Sequence, residues 1–580
     1  MARANENIME ADNIPEVRQK AASSRGFDGI LEAVGPFGRY QKLLTFAVFL
    51  PAVIPSGFLS MSSVFFAATP GDYWCALPRD SSANDSWEIF TDFTSVSPDF
   101  SKRSCVMPIR TDNSTQINTT IPMTACEFGY EYDRSVYEST VITEWDLVCD
   151  HHLEGTFTFT IFTLGGLVGP LIWGYLADRF GRRKGFFLCV GFQSVFAVLT
   201  AFAPKYFLYC ICRFLVGMTT SASYTIPLTL NLEISGPKQR ALICVLHSFA
   251  YSLGCLIFVG AAYFLRSWRT LALATAIPAT IIYILIWKFF PESPRWLLSK
   301  NSIRRVDVFV RKLSRVNGKV YPEEAEVMLT TMGASAVATP TRKPNKSSPL
   351  DLVRTPNMRR KTLILVFLNI CNKGVSLGLN FYAPLFSTHP HLGALLNTLV
   401  ELPPYLFAKT ALDFMGRRSS LFLGFLTGGI TCLTAFTIPY SVPSLVLMLS
   451  LVAKFSITFT YLGSKLMEDE LFPTVVRSEG HSLVSVLSSI TTCGVPFIVD
   501  LGYTFQVLPL LIFGSLCIVA ALAVFFLPET AYQPLPQTLS DGENYGKNMP
   551  WKAHFRFFPV RPQENNKAAA LENKIGSADC

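Results

Sequence analysis

The sequence predicts an all-α integral membrane protein: twelve transmembrane helices in two six-helix halves, with a large extracellular loop after the first helix. Three observations carry this prediction. Half of the 580 residues are hydrophobic, and they gather in apolar runs of about 20 residues, the length that crosses a hydrocarbon core of roughly 30 Å. Basic residues crowd one segment between spans, whereas another such segment is acidic. Charged motifs of the first half return in the second at a nearly constant offset.

Taken in order, residues 1–42 form a polar N-terminal segment of mixed charge without the pattern of a secretory signal peptide, so the first span must itself direct insertion. Six spans near 43–66, 155–176, 185–204, 207–230, 241–264 and 268–290 make up an N-terminal half, 43–290. Six more near 362–382, 392–412, 419–438, 443–465, 480–500 and 506–527 make up a C-terminal half, 362–527. The uncharged run 419–453 holds parts of two spans, cut by the turn signal "PYSVP" at 439–443.

The linker between the halves, 291–361, carries 15 Lys and Arg against 6 Asp and Glu, and loop 67–154 is acidic. The positive-inside rule puts the linker in the cytosol. The net charge of +8 then reflects topology, and no nucleic-acid partner is expected. Twelve crossings put both termini in the cytosol and loop 67–154 outside. The cytosolic C-terminal tail is 528–580, and residues 1–26 and about 531–580 have the polar composition of disordered chain.

Two features of the loop agree with an outside location. It holds the glycosylation sequons at Asn84, Asn113 and Asn118. It also holds Cys75, Cys105, Cys126 and Cys149, an even number that predicts two disulfides with three possible connectivities. The other ten cysteines lie mostly in apolar runs and read as packing residues. No Cys/His spacing points to a metal, no cluster resembles a catalytic constellation, and no cofactor is expected.

The repeat is specific. "GYLADRFGRRK" (174–184) follows span 2 and "ALDFMGRRS" (411–419) follows span 8, so Asp178 and Arg182 map onto Asp413 and Arg417 at an offset of 235. Glu233 and Arg240 frame "EISGPKQR" after span 4. Glu470 and Arg477 frame "ELFPTVVR" after span 10, at an offset of 237. "PESPRW" (291–296) and "PET" (528–530) repeat at the same offset, and "RF" at Arg213 answers "KF" at Lys454. A six-helix unit duplicated in parallel is the architecture of major facilitator transporters, which bind substrate between the halves near the midplane and rock one half on the other. Asp178, Arg182, Glu233, Arg240, Asp413, Arg417, Glu470 and Arg477 are expected to form a cytosolic gate of ion pairs across that face. The plainer alternative is that they anchor helices at the membrane surface.

At these motifs the chain resembles the organic ion transporter family of the major facilitator superfamily, which moves organic cations, organic anions and carnitine. The resemblance rests on "FDGILEAVGPFGRYQ" (27–41), "SSVFFAATP" (62–70), "YEYDRSVYESTVITEWDLVCD" (130–150), "RFLVG" (213–217), "PESPRWLLSK" (291–300), "RTPNMRRKTLIL" (354–365) and "ELFPTVVR" (470–477). It implies a plasma-membrane carrier for a small organic ion, by uniport, exchange or coupling to an ion such as sodium or a proton. The family's loop usually has more cysteines than the four here, so its disulfide pattern does not transfer.

Rise per residue places candidate substrate contacts at one depth. Twelve residues climb roughly 18 Å, about the middle of the core. Lys373 is that far beyond Lys361, Glu401 that far before Asp413, and Ser489 that far beyond Arg477; Tyr251 is level with them. With Asn372 and Ser376, these residues form the expected substrate site. The simpler reading of Lys373 and Glu401 is mutual neutralisation on consecutive helices. Lys454 and Arg213, repeat counterparts, read as structural or gating residues, and His247 as a histidine satisfied by a backbone carbonyl. Lys409 is close enough to the cytosol to snorkel.

The resemblance also marks departures. Cation-transporting members commonly have Asp at the position of Ser489, and anion- and carnitine-transporting members Arg. Aromatic residues are common at the positions of Asn369 and Ser376. The expected substrate is a small polar cation or zwitterion, carnitine- or amine-like. An organic-anion carrier is one alternative, and a surface receptor on a carrier fold is another.

Overall fold

The computed structural model describes residues 26–76, 105–108, 123–126, 128–236, 239–321, 351–387, 389–438, 442–473, 476–503, 505, 508–531, 533, 536 and 538–547. The chain opens with an amphipathic helix α1 (Gly26–Val34) and continues into α2 (Arg39–Phe66), the first span. Then follow α3 (His152–Phe180), α4 (Arg182–Ala201), α5 (Tyr206–Ile234), α6 (Arg240–Phe264) and α7 (Trp268–Ile286). Two linker helices, α8 (Pro294–Ser299) and α9 (Ile303–Asn317), precede the second half. That half comprises α10 (Pro356–Tyr382), α11 (Pro390–Leu399), α12 (Leu402–Met415), α13 (Arg417–Phe436), α14 (Pro443–Leu471), α15 (Arg477–Thr492), α16 (Val495–Asp500) and α17 (Leu508–Val524), and a short α18 (Leu539–Asn544) follows it.

Among the described residues, nine helical segments are long and apolar enough to cross a membrane. The other three spans are α5, whose 29 residues include buried Arg213, the pair α11–α12, and the 17-residue α17. The break between α11 and α12 falls at "ELPP". Pro403 and Pro404 have no N–H to continue the ladder, and Glu401 sits at the interruption.

Each half has its own apolar core. In the first, α2 packs on α6 and α3 on α5; in the second, α13 packs on α14 and α17, and α10 on α14 and α15. Small residues permit the closest crossings: a Cβ on Gly169 would overlap the Met218 carbonyl, and one on Gly217 the Phe162 carbonyl. The basic linker is not simply an extended connector. Its α9 buries Val306, Val310 and Leu313, while Asn317 accepts from the Tyr40 N–H at 3.0 Å and donates to the Val34 carbonyl at 3.2 Å.

The loop after α2 carries two small antiparallel ladders: β1 (Tyr73–Cys75) with β4 (Tyr130–Tyr132), and β2 (Val106–Pro108) with β3 (Met123–Ala125). Of the three possible connectivities the structure has Cys75–Cys126 and Cys105–Cys149. Asn84, Asn113 and Asn118 lie outside the described residues.

Candidate functional site

Two ends of the bundle can be compared: the end that carries the 67–154 loop and the end that carries the linker. At the linker end the two halves build the same cluster. The α3–α4 turn passes through Gly181 at φ 104°, and the α12–α13 turn through Gly416 at φ 87°, a region that favours glycine. In the first half, Glu292 accepts the backbone N–H groups of Arg182 at 2.8 Å and Arg183 at 3.1 Å. In the second, Glu529 accepts those of Arg417 at 2.9 Å and Arg418 at 3.1 Å. Each carboxylate therefore sits on the positive end of a helix whose first N–H groups have no other partner within that helix. Arg182 pairs with Glu233 at 3.0 Å, and Arg417 with Glu470 at 3.1 Å. Ser293 donates to Glu233, and Thr530 donates to Glu470.

These pairs differ from the expected gate in two ways. The Arg182–Glu233 and Arg417–Glu470 pairs each run within a half rather than across the two. Arg240 also leaves Glu233 for Asp28, 3.0 Å away, which Arg295 engages as well. The four-residue cluster already saturates Glu233, and α1 brings Asp28 underneath α6. Arg477 donates to the Phe472 carbonyl at 3.2 Å rather than to Glu470. Asp413 pairs with Arg417 at 3.2 Å, whereas the Asp178 backbone carbonyl receives the Trp296 indole N–H at 2.8 Å.

The contacts between halves gather at the other end. Thr156 donates to Asp500 at 3.0 Å, with His152 3.6 Å from the same carboxylate. Phe157 meets Phe497, and Phe159 meets Phe381. His391 lies against Phe65, Tyr137 and Tyr263, with Nε2 3.2 Å from the Ala262 carbonyl.

At mid-depth the structure divides the expected substrate residues. Asn369, Asn372, Ser376 and Asn380 recur at helical spacing and face α14. Asn372 donates to Ser464 at 2.9 Å and accepts from Thr460 at 2.7 Å, so it joins two helices of one half instead of facing the space between halves. Ser376 and Asn380 accept from Lys454 at 2.7 and 2.8 Å. Lys454 is fully buried and completes its shell with Glu401 at 2.7 Å. The Lys373–Glu401 neutralisation is thus replaced by Lys454–Glu401. The reason is angular: residue 373 is one position past 372, a rotation of about 100°, which turns it from α14 toward α15. There Lys373 donates to the Ser489 hydroxyl at 3.2 Å and the Ser485 carbonyl at 3.3 Å. Among the described residues no carboxylate lies within ion-pair distance of it. The carboxylate that acts on it electrostatically, Glu468, is already held by Lys465 at 3.0 Å, His481 at 2.9 Å and Asn369.

Tyr251 is half-buried on α6 with its ring 5.9 Å from Tyr224; nearby, Phe249 meets Tyr405 of the other half at 6.1 Å. His247 is buried, and its Nε2 is 3.1 Å from the Asn231 amide nitrogen rather than bonded to the expected carbonyl. Sequence reasoning passed over Glu468, His481 and Tyr405. The charges in "KLMEDEL" adjoin a surface motif and read as part of it, and a tyrosine one turn beyond Glu401 has no signal of its own.

Comparison with known proteins agrees with this geometry. Residues 113–538 match the family described as "Sugar (and other) transporter". The chain is 34% identical over 543 residues to a beta-alanine transporter of Drosophila melanogaster, covering 89% of both chains. It is 32% identical over 574 residues to a carcinine transporter of the same organism, covering 96% of this chain and 85% of the relative. It is 31% identical over 534 residues to the human organic cation/carnitine transporter 2, covering 89% and 93%. Among solved structures, the inward-open xylose transporter XylE of E. coli superposes with a TM-score of 0.58 at 16% identity, covering 86% of this chain and 99% of that one. The chain belongs to the sugar (and other) transporter family of the major facilitator superfamily, alongside the organic cation and carnitine transporters, and is a membrane transporter of small organic substrates, not an enzyme.

Proposed function

We propose that this protein carries a small zwitterion, an amine that also bears a carboxylate, across the plasma membrane by alternating access. The observation that carries the reading is Lys373, a half-buried cation at mid-depth with hydroxyl and carbonyl partners and, among the described residues, no carboxylate. A lysine in that position costs several kcal/mol unless something compensates it. A substrate carboxylate would do so, with Ser489 orienting the ammonium. The tyrosines Tyr251 and Tyr405 supply π faces for the substrate's amine. Relatives named for beta-alanine and carnitine support a substrate with both an amine and a carboxylate, since both of those molecules carry the two groups.

The linker end is the cytosolic one in this reading, with both termini inside and the sequons of loop 67–154 open to glycosylation. Contacts between halves at the loop end and pairs confined within each half at the linker end correspond to a state open to the cytosol. The eight motif residues then act as clamps that keep each half rigid while it rocks.

An organic-anion carrier is the second reading. Glu401 does not count against it, because Lys454 neutralises that carboxylate. Uptake of labelled zwitterions, cations and anions by expressing cells, at two pH values and with sodium replaced, separates the two and identifies a coupling ion. Lys373→Gln should raise KM for carboxylate-bearing substrates roughly 30-fold, equivalent to ~2 kcal/mol, and leave simple amines unaffected. Equal uptake of every substrate by wild type and variant removes Lys373 from the site. No uptake of any class would point to a receptor on a carrier fold.

A further inference from the structure

A third membrane-embedded cation, Arg213, lies two turns into α5 from the loop end. It is 2% exposed. Its two terminal nitrogens donate to Ser62 at 3.0 Å and Ser63 at 2.5 Å, and its guanidinium stacks on Phe162 at 4.4 Å and on Phe66 at 5.3 Å. The Nε has no acceptor. Among the described residues no carboxylate reaches it, although its repeat counterpart Lys454 has Glu401. Hydroxyls and ring faces lower the cost of the buried charge but do not neutralise it, and an uncompensated ion in the interior costs several kcal/mol.

A cavity opens beside it. The guanidinium, Ser62, Gln193, Thr200 and Thr275 supply polar lining, and the remaining walls include Phe58, Val216 and Ala276. Gln193 is itself 3% exposed, and its amide oxygen has no donor. The amide nitrogen lies 3.4 Å from the Tyr283 hydroxyl, so an anion is served by the flipped amide, whose oxygen then accepts from Tyr283 and whose nitrogen turns to the cavity. The cavity volume is about 30 Å³, above the ~15 Å³ a single water needs and too small for an organic anion with its carbon body. Size therefore favours a guest of one or a few atoms, and the uncompensated guanidinium favours a negative one.

We propose that the cavity beside Arg213 binds one halide ion, chloride under physiological conditions, as the counter-charge that Glu401 provides in the other half. The site is separate from Lys373 and does not depend on which substrate is carried. An occupied site compensates Arg213 and ties α2, α4, α5 and α7 together at the loop end, so the folded protein is more stable with the ion than without it.

The test is thermal unfolding of the purified full-length protein at fixed sodium and fixed ionic strength, with gluconate exchanged for chloride, bromide or sulfate. Wild type should gain several degrees of Tm in chloride or bromide and none in sulfate, which does not fit. Arg213→Gln should lose the response. Gln193→Glu, which puts a carboxylate on the same lining, should raise Tm in gluconate and abolish the chloride effect. Identical wild-type Tm in chloride and gluconate overturns the proposal, as does an unchanged chloride response in Arg213→Gln. If Arg213→Gln does not fold, the wild-type ion series and Gln193→Glu decide: a chloride response undiminished in Gln193→Glu counts against the site.

Discussion

The two halves are alike where they meet the linker end and unlike in the middle of the membrane. At the linker end a glycine turn, an arginine, two glutamates and a hydroxyl recur with matching partners: Arg182, Glu233, Glu292 and Ser293 against Arg417, Glu470, Glu529 and Thr530. At mid-depth the repeat counterparts diverge. Lys454 is closed off by Glu401, Ser376 and Asn380, Arg213 rests on two serines and two rings, and Lys373 turns toward α15. The duplicated parts are those that hold helices together. The parts that differ are the embedded cations for which a substrate or an ion is proposed as partner.

The comparison breaks most visibly at Lys454. Removing one member of a buried, hydrogen-bonded ion pair strands the other, at a cost of ~3–5 kcal/mol. Lys454→Ala should therefore abolish most folded protein, read as loss of a monodisperse peak in detergent. Glu401→Gln combined with Lys454→Met should recover much of it, because no charge is then left alone. If Lys454→Ala folds as well as wild type, the pair is not the structural unit described. The next effect is smaller and symmetric. Glu292→Gln weakens charge-assisted hydrogen bonds to the backbone N–H groups of Arg182, Arg183 and Ser293, and Glu529→Gln those to Arg417, Arg418, Thr530 and Ala531, each set worth about 1–2 kcal/mol in total. Chemical unfolding should show similar losses for the two variants. A loss confined to one would mean that the matching geometry does not carry matching energy.

The repeat, the spans, the linker-end motifs and the cysteine-bearing loop are legible in the sequence because each has a linear signature: length of apolar run, charge sign, or fixed offset. What was not legible is rotation about a helix axis. Lys373 and Asn372 are adjacent and equally deep, yet one faces α15 and the other α14. Depth counting orders residues along the normal and says nothing of azimuth, and for that reason Glu401 was matched to Lys373 rather than to Lys454. Asp28 posed a different problem. It is adjacent to Arg240 only because α1 folds back under α6, a contact between residues 212 apart in sequence.

At Ser489 the comparison between a closed cation and an available one can be sharpened. The hydroxyl orients Lys373, but the Ser485 carbonyl remains as a second acceptor. Ser489→Ala should cost about 1 kcal/mol, a rise of roughly fivefold in KM for carboxylate-bearing substrates with little change in kcat. A proportionate fall in kcat with unchanged KM would place Ser489 in the conformational step instead.

The smallest expected effect concerns how each half is anchored where its first helix begins. Asn317 of the linker holds the start of α2, and Glu543 of the tail holds the start of α10 by accepting the Asn357 and Met358 N–H groups at 3.0 and 2.8 Å. Slight burial pushes the Glu543 carboxyl up, but hydrogen bonds from Thr355, Met358 and Asn357 outweigh it and hold the group below the usual glutamate range, helped by Lys547. A carboxyl depressed in the folded state stabilises that state above the unfolded pKa, and the contribution is lost as pH falls through the folded pKa. Hydrogen exchange at the first turn of α10 should therefore speed up as pH is lowered below the ordinary glutamate range, after correction for intrinsic exchange. Glu543→Gln should flatten that dependence and leave the first turn of α2 unchanged. Matching acceleration in α2 would assign the effect to general acid loosening rather than to this carboxylate.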